Sequence, residues 1–390
     1  KQVVKDLDRV EFPTRTIVPF MEIVHDRIML EVLRGCSRGC RFCQAGMIYR
    51  PVREKRPETI LQQADELVKS TGYDEISLTS LSTSDYSCVQ GVLESLMDRY
   101  GGAGVGISLP SLRADSFSVE LAKQVQRVRR TSLTFAPEAG TQRLRDVINK
   151  GVTEENLMGA VEGAFRAGWS AVKLYFMIGL PTETDEDLEG IAHLANRVVR
   201  LGQEILGSRA GRLKVTVSAS SFVPKPHTPF QWEPQDTMEE LVRKQKYLAG
   251  LLKNRRIVFN WHDAKLSFVE AVFARGGRRV GDALERAWQL GCKFDGWTEH
   301  FKFDKWLEAF TQAGIDPAFY ANRRFPREEV LPWDHIDAGV SRGFLLTEYD
   351  RAMAGQVTGD CRFERCTACG VCQDMDVALD MKGGRLHAPC

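Results

Sequence analysis

No apolar run in this 390-residue chain approaches the roughly 18 residues that would span a bilayer, and its first residues lack the apolar core of a signal peptide. These absences predict a cytoplasmic protein without a membrane partner. A charge of one sign is lacking too: 53 basic residues stand against 52 acidic ones, leaving +1. Bulk electrostatics therefore give no reason to expect nucleic acid or an anionic surface as partner. The local basic clusters at 127–130, 253–256 and 275–279 have no interleaved aromatics and read as solvated faces. There is no internal repeat, no low-complexity tract and no disulfide framework. The ten cysteines instead gather in two tight groups, at 36–43 and 361–372, with Cys88 and Cys292 apart and Cys390 at the end. That distribution suits metal in a reducing compartment. The chain opens at Lys1 without an initiator Met, so an upstream segment is expected to be missing or removed.

What is present is a rhythm. Between residues 26 and 259, short β-rich runs alternate with helical patterns, the arrangement of βα units around a parallel sheet. Strands are predicted at 28–33, 75–79, 105–109, 132–135, 171–177 and 213–218, with 256–259 as a further edge strand. Helices are predicted at 57–70, 86–100, 116–128, 140–148, 153–167, 185–201 and 238–253. In the first of these, Ile60, Leu61, Ala64, Leu67 and Val68 recur at helical spacing, with Pro57 at the start and Gly72 beyond the end. Thr184 caps the helix at 185–201, whose first turn is acidic and whose apolar stripe runs from Leu188 through Ile191, Leu194 and Val198 to Leu201. The pattern predicts an α/β fold, a partial (β/α)6 TIM-like barrel over 26–259, preceded by a lead-in at 1–25. In such barrels chemistry gathers at the C-terminal strand ends. Residues 260–355 read as a mostly helical region in which Trp288, Trp297, Trp306 and Trp333 are expected to be core rather than a base-stacking platform. Residues 356–390 form a Cys-rich, metal-binding tail.

The first cysteine group lies just after the first predicted strand, in Gly35-Cys-Ser-Arg-Gly-Cys-Arg-Phe-Cys43. Three thiolates at this spacing can each hold one iron of a [4Fe-4S] cube and leave the last iron open. A closed zinc site would need a nearby fourth Cys or His, and none follows. This run, with Phe42 before its last cysteine, resembles the signature of the radical S-adenosylmethionine (SAM) enzymes. The resemblance implies that SAM chelates the open iron through its amino and carboxylate groups. An electron from a reductant such as flavodoxin or ferredoxin then breaks its C–S bond to give a 5′-deoxyadenosyl radical, which the protein steers.

The resemblance extends over roughly residues 26–230. Where many members carry Gly-Gly-Glu after the second strand, this chain reads Thr79-Ser80-Leu81-Ser82-Thr83. Backbone groups around Ser80 and Ser82 either hold SAM's amino group or form an ordinary capped loop. In Ala136-Pro-Glu-Ala-Gly-Thr-Gln-Arg143, the resemblance implies that Glu138 and Arg143 contact SAM's ribose and carboxylate. In Met177-Ile-Gly-Leu-Pro-Thr-Glu183 it implies that Gly179 and Pro181 let backbone approach the adenine. The Pro-rich segment at 222–230 is similar to that of the methylthiotransferase and cobalamin-type branches and is expected to line the substrate side. His227 and His262 are taken as structural.

In the second group, Cys361, Cys366, Cys369 and Cys372 end in a C-x2-C-x2-C run, with Cys361 or Cys390 completing four ligands. Both a second [4Fe-4S] cluster and a structural zinc fit this set. Taken with Arg34-Gly-Cys36, the stretch 44–53 and Ser108-Leu-Pro-Ser-Leu-Arg113, the tail resembles an uncharacterised bacterial family that joins a B12-binding-like domain to a radical SAM barrel. No Asp-x-His-x2-Gly motif occurs here, so cobalamin is implied only with an upstream domain. Three functions follow as expectations. One is a radical SAM enzyme that transfers methyl to an unactivated carbon. Another is a methylthiotransferase-like enzyme modifying tRNA or a ribosomal protein, and the last is a non-catalytic metal-binding or electron-transfer module. The substrate class stays open among small molecule, RNA and protein.

Overall fold

The computed structural model describes residues 1–21, 23–109, 113–116 and 133–383. The predicted helix at 116–128, apart from Ser116 at the end of the tight turn Ala114–Ser116, the basic cluster at 127–130 and Cys390 lie outside the described residues. Nine strands are present among them: β1 (Ile28–Glu31), β2 (Leu33–Arg34), β3 (Arg53–Glu54), β4 (Glu75–Thr79), β5 (Gly106–Ser108), β6 (Leu133–Glu138), β7 (Ala171–Ile178), β8 (Lys214–Ser221) and β9 (Ile257–Trp261). They form a parallel sheet in the order β1-β4-β5, a second parallel sheet in the order β6-β7-β8-β9, and an antiparallel β2-β3 ribbon. The two parallel sheets follow chain order, with helices such as Pro57–Thr71, Val89–Tyr100, Glu154–Arg166, Asp185–Leu206 and Met238–Leu251 between strands. This is the succession of a partial TIM-like barrel, and β9 supplies the further edge strand.

Alternation decides what each strand faces. In β8, Val215, Val217 and Ala219 are buried against the helices while Thr216, Ser218 and Ser220 on the other face stay partly exposed. In β7, Val172, Leu174 and Phe176 are buried, opposite Lys173, Tyr175 and Met177. On these two strands the other face thus carries mostly polar, partly exposed side chains.

The strand predicted to end at Phe135 runs on to Glu138, with a register shift between those two residues. Pro137 has no N–H for the ladder, so the strand bulges there, and Glu138 takes a left-handed φ of 67°. The helix predicted from Tyr86 begins at Val89, because a single tight turn over Thr83–Asp85 comes first. The helix after Thr184 is capped reciprocally by Thr184 and Asp187, as its sequence predicts, and continues to Leu206.

The C-terminal part contains the helices Ala264–Arg275, Val280–Gln289, Phe303–Gln312, Pro317–Ala321, Arg342–Met353 and Val371–Asp374. Trp306 and Trp333 are buried as expected, but Trp288 and Trp297 are each 63% exposed. Helical spacing places residues on a common face; it does not say whether that face is covered. The Arg342–Met353 helix and the tail share a core with the first cysteine group: Met47, Phe222, Phe230, Trp232, Phe344 and Val371 pack together.

Candidate functional site

The first cysteine group sits in an excursion whose two ends are pinned. β2 and β3 pair Leu33 with Glu54 and Arg34 with Arg53, so the residues between them leave and return at the C-terminal end of β1. Gly35 and Gly39 turn the chain with φ of 90° and 75°. The short helix Ala45–Ile48 follows, and its Gly46 N–H donates to Cys43 Sγ at 3.4 Å. Cys36, Cys40 and Cys43 are free thiols, each partly buried. Burial, and then the neighbouring Cys40 thiol, raises the Cys36 pKa and pushes that of Cys43 up to about 11. Burial thus favours the neutral thiol at both, and thiolates would form as metal displaces their protons. Arg113 acts electrostatically on Cys36, and Lys150 on Cys43.

Donor chemistry and spacing fit an iron-sulfur cube held by three thiolates. Among the described residues no three Cys, His, Asp or Glu side chains converge closely enough for a single ion. A cube instead spreads its thiolates over separate irons.

Around the thiols lies a charged network that the sequence did not announce. Arg38, between Cys36 and Cys40, donates to Asp85, from Nε at 2.9 Å and by a second bond through Nη2. Arg38 Nη1 reaches Asp115 at 3.1 Å. Ser37 Oγ donates to Asp360 at 2.6 Å, and Arg362 grips Asp360 at 2.6 Å. The one available signal was position, since Arg38 lies inside the first cysteine run and Asp360 and Arg362 flank Cys361.

Of the predicted SAM contacts, Ser80 and Ser82 build the turn after β4. Ser80 Oγ lies 2.9 Å from Thr83 Oγ1 and accepts from the Ser82 N–H at 3.1 Å, while Ser82 Oγ donates to Asp85 at 2.6 Å. Glu138 accepts from Lys150 Nζ at 3.1 Å, which brings it to the side of the cysteine loop. Arg143 is instead engaged elsewhere: it donates to the Thr182 carbonyl at 2.9 Å and to the buried Asp187 carboxylate. Its guanidinium ties the loop after β6 to the loop after β7. The Gly179 N–H is likewise satisfied internally, by Glu183 Oε2 at 2.7 Å, and Glu183 pairs with Lys244 at 2.8 Å. Pro181 is buried beside it, and Phe42 packs against the core beneath the loop. The Pro-rich segment touches the cysteine loop where Gln44 Nε2 donates to the Pro226 carbonyl at 3.1 Å.

In the tail, Cys369 is buried, Cys361 and Cys372 are partly buried and Cys366 is exposed. Burial pushes the Cys361 thiol up to about 12, against the pull of Arg50, with Asp360, Cys369 and Cys366 adding to the rise. Cys366 instead lines an open groove of about 1400 Å³, with Ser341, Phe344, Arg351, Gln356 and Arg365.

The network carries an acid-sensitivity prediction. Burial works against ionised Asp85, but hydrogen bonds and charge from Arg38, then Arg362, hold its carboxyl well below the usual 3.8. A carboxylate depressed in this way stabilises the fold above its unfolded pKa and loses that contribution as pH falls. The stability difference between wild type and Asp85→Asn, measured by urea unfolding, is expected to be largest near about pH 6 and to shrink below about pH 4. A difference independent of pH would show that the ion pairs contribute nothing.

Residues 30–195 match the Radical SAM superfamily. An uncharacterised protein of Methanocaldococcus jannaschii is 35% identical over 257 residues, covering 66% of this chain and 54% of its own. The tRNA-2-methylthio-N(6)-dimethylallyladenosine synthase of Thermotoga petrophila is 28% identical over 266 residues, covering 64% and 56%. Among solved structures, the radical SAM methyltransferase TsrM from Kitasatospora setae, with cobalamin and a [4Fe-4S] cluster bound, aligns with a TM-score of 0.40 at 14% identity over 55% of this chain and 39% of that one. The chain spans about half the length of the curated relatives it matches. With the cysteine run on the first strand-end loop and the matched stretch running from β1 through the cysteine loop to β7, residues 30–195 of this chain form a radical SAM superfamily segment.

Proposed function

We propose that this chain is an enzyme that reductively cleaves SAM, with Cys36, Cys40 and Cys43 holding a [4Fe-4S] cluster. The observation that carries this reading is the set of three unpaired thiols on a single loop at the end of β1. When bound, the cluster supplies the electron that breaks the SAM sulfonium bond, with flavodoxin or ferredoxin as the class of reductant. The chain's own residues bind and orient: backbone at Ser80 and Ser82 for the SAM amino group, Glu138 for its ribose, and the Gly179 to Pro181 turn beside the adenine. Arg143 serves this pocket through Thr182 and Asp187, by holding the loops in register. The half-exposed Lys173, Tyr175, Thr216 and Ser218 offer a polar inner wall to the substrate. Cys361, Cys366, Cys369 and Cys372, with Cys390 as alternative fourth ligand, hold a second [4Fe-4S] cluster or zinc.

The net reaction we favour is methyl transfer to an unactivated carbon, with cobalamin as carrier where a B12-binding-like unit is present. A methylthiotransferase reading, on tRNA or a ribosomal protein, has its own support. The tail cysteine Cys366 lines an open groove, and a tRNA methylthio-synthase is among the relatives. Anaerobic reconstitution with iron and sulfide, followed by reduction in the presence of SAM, tests the proposal. The expected result is iron bound at the loop and 5′-deoxyadenosine released. A fully reconstituted wild type that yields none, with candidate substrates present, would overturn it in favour of a non-catalytic metal module.

A further inference from the structure

Several separate links run from the tail to the cysteine loop; one begins beside Cys361 and another at the Cys369 carbonyl. Asp360, next to Cys361, accepts from Ser37 Oγ at 2.6 Å and stands 3.7 Å from Arg38 Nε. The Cys369 carbonyl accepts the Ser341 N–H at 2.9 Å, and Ser341 caps the Arg342–Met353 helix through its hydroxyl. That helix carries Glu348, which meets Arg41 Nε at 3.1 Å. Arg41 is fully buried between Cys40 and Cys43, and its Nη2 also reaches the Gln356 carbonyl at 2.7 Å. Finally, Asp380 pairs by backbone with the ribbon that closes the loop, accepting from the Glu54 N–H at 2.8 Å and donating to the Val52 carbonyl at 3.0 Å.

A further bridge is bidentate. Asn149, held at a left-handed φ of 51°, donates to the Gly39 carbonyl at 3.2 Å and the Thr358 carbonyl at 3.0 Å, and accepts from the Thr358 N–H at 2.8 Å. The Gly39 carbonyl and the Arg41 N–H of the loop are therefore fixed by Asn149 and the Ile148 carbonyl, more than a hundred residues away, rather than by a regular ladder. Hydrogen bonds to charged, buried groups are the stronger kind, and leaving one such group unpaired is costly.

We infer that the C-terminal cysteine segment is a clamp that pre-forms the Cys36 to Cys43 loop, with Asp360 and Glu348 as positioning residues. Metal at the tail cysteines fixes the segment that carries Asp360 and the carbonyl that caps the Glu348 helix. The same contacts then strengthen the loop's hold on its own cluster, and by linkage the loop strengthens the tail's. The inference rests on the assignment of cluster binding to the loop, but the clamp itself is measurable without metal.

Hydrogen exchange on the apo full chain reads the clamp directly. Asp360→Asn and Glu348→Gln are each expected to speed exchange of the amides at 37–42 by roughly tenfold, and the double variant by more, while amides of β7 and β8 are unchanged. Asp360→Glu is expected to restore part of the protection. In reconstituted protein, replacing the four described tail cysteines by Ser should accelerate chelator-driven iron loss from the loop by a similar factor in the wild-type background. In the double variant, with the links cut, the same replacement should have little effect. Loop protection identical in all variants would overturn the clamp. A loop that never binds iron, with protection still lost on cutting the links, would overturn the cluster assignment and leave the clamp standing.

Discussion

Replacing any one of Cys36, Cys40 and Cys43 by Ala is expected to reduce 5′-deoxyadenosine formation to background, a loss of about a thousandfold or more, which is about 4 kcal/mol of transition-state stabilisation. Two remaining thiols leave two irons of a cube without protein ligands, so the site that presents one open iron to SAM no longer exists. Two comparisons make the effect specific. Cys88→Ala and Cys292→Ala should leave product formation near the wild-type rate. Neither thiol belongs to the two cysteine groups, and Cys292 is buried in a separate core with Val272, Ala283, Ala287 and Trp306. Replacing Cys366, Cys369 and Cys372 together should impair substrate turnover and iron retention while SAM cleavage persists in the fraction that keeps loop iron. Mössbauer quantitation of iron per chain, run beside product assays, separates a missing cluster from an inactive one. Undiminished 5′-deoxyadenosine in the triple loop variant would sink the site assignment.

The fold was readable where physics is local. Short β-rich runs between helical stripes marked β4 and β7 almost to the residue, and Thr184 announced its helix because a cap satisfies orphan N–H groups within one turn. The cysteine loop stood out because three thiols at a C-x3-C-x2-C spacing suit the separate irons of a cube. What escaped depends on partners distant in sequence. Ser37 meets Asp360 across 323 positions, and Arg41 meets Glu348 across 307. Nothing near Arg38 or Arg41 in the sequence names these partners, although the fold buries Arg41 fully and Arg38 in part. Arg143 shows the same limit from the other side. Its type and place suggested a ligand carboxylate, yet Asp187 supplies a protein carboxylate first, because Gly140 lets the loop after β6 press against the backbone of the Asp185–Leu206 helix. Trp288 and Trp297 differ from Trp306 only in whether another element covers them, and no window of sequence contains that information.

The loop's dependence on backbone shape gives the second large effect. Gly35→Ala removes no ligand, no charge and no hydrogen bond. A Cβ at Gly35 would stand 2.6 Å from the Tyr49 carbonyl oxygen and closer still to that of Pro51. Both atoms are backbone, so neither can swing aside. The residue also has φ of 90°, a conformation that costs an L-residue about 1–3 kcal/mol before any clash is counted. Overpacking against fixed atoms adds about 1–3 kcal/mol more. The ribbon β2-β3 is short, with pairs only at Leu33 with Glu54 and Arg34 with Arg53, so it is the element that yields. Gly35→Ala is therefore expected to disorder residues 35–43 and to leave iron per chain as low as in the Cys36→Ala variant. The unfolding midpoint of the barrel should fall far less, since its two parallel sheets and their helices make no use of Gly35. Iron analysis beside circular dichroism checks this. Full iron loading in Gly35→Ala would mean that the thiols need no preset loop, and that the spacing of Cys36, Cys40 and Cys43 alone suffices to gather the cluster.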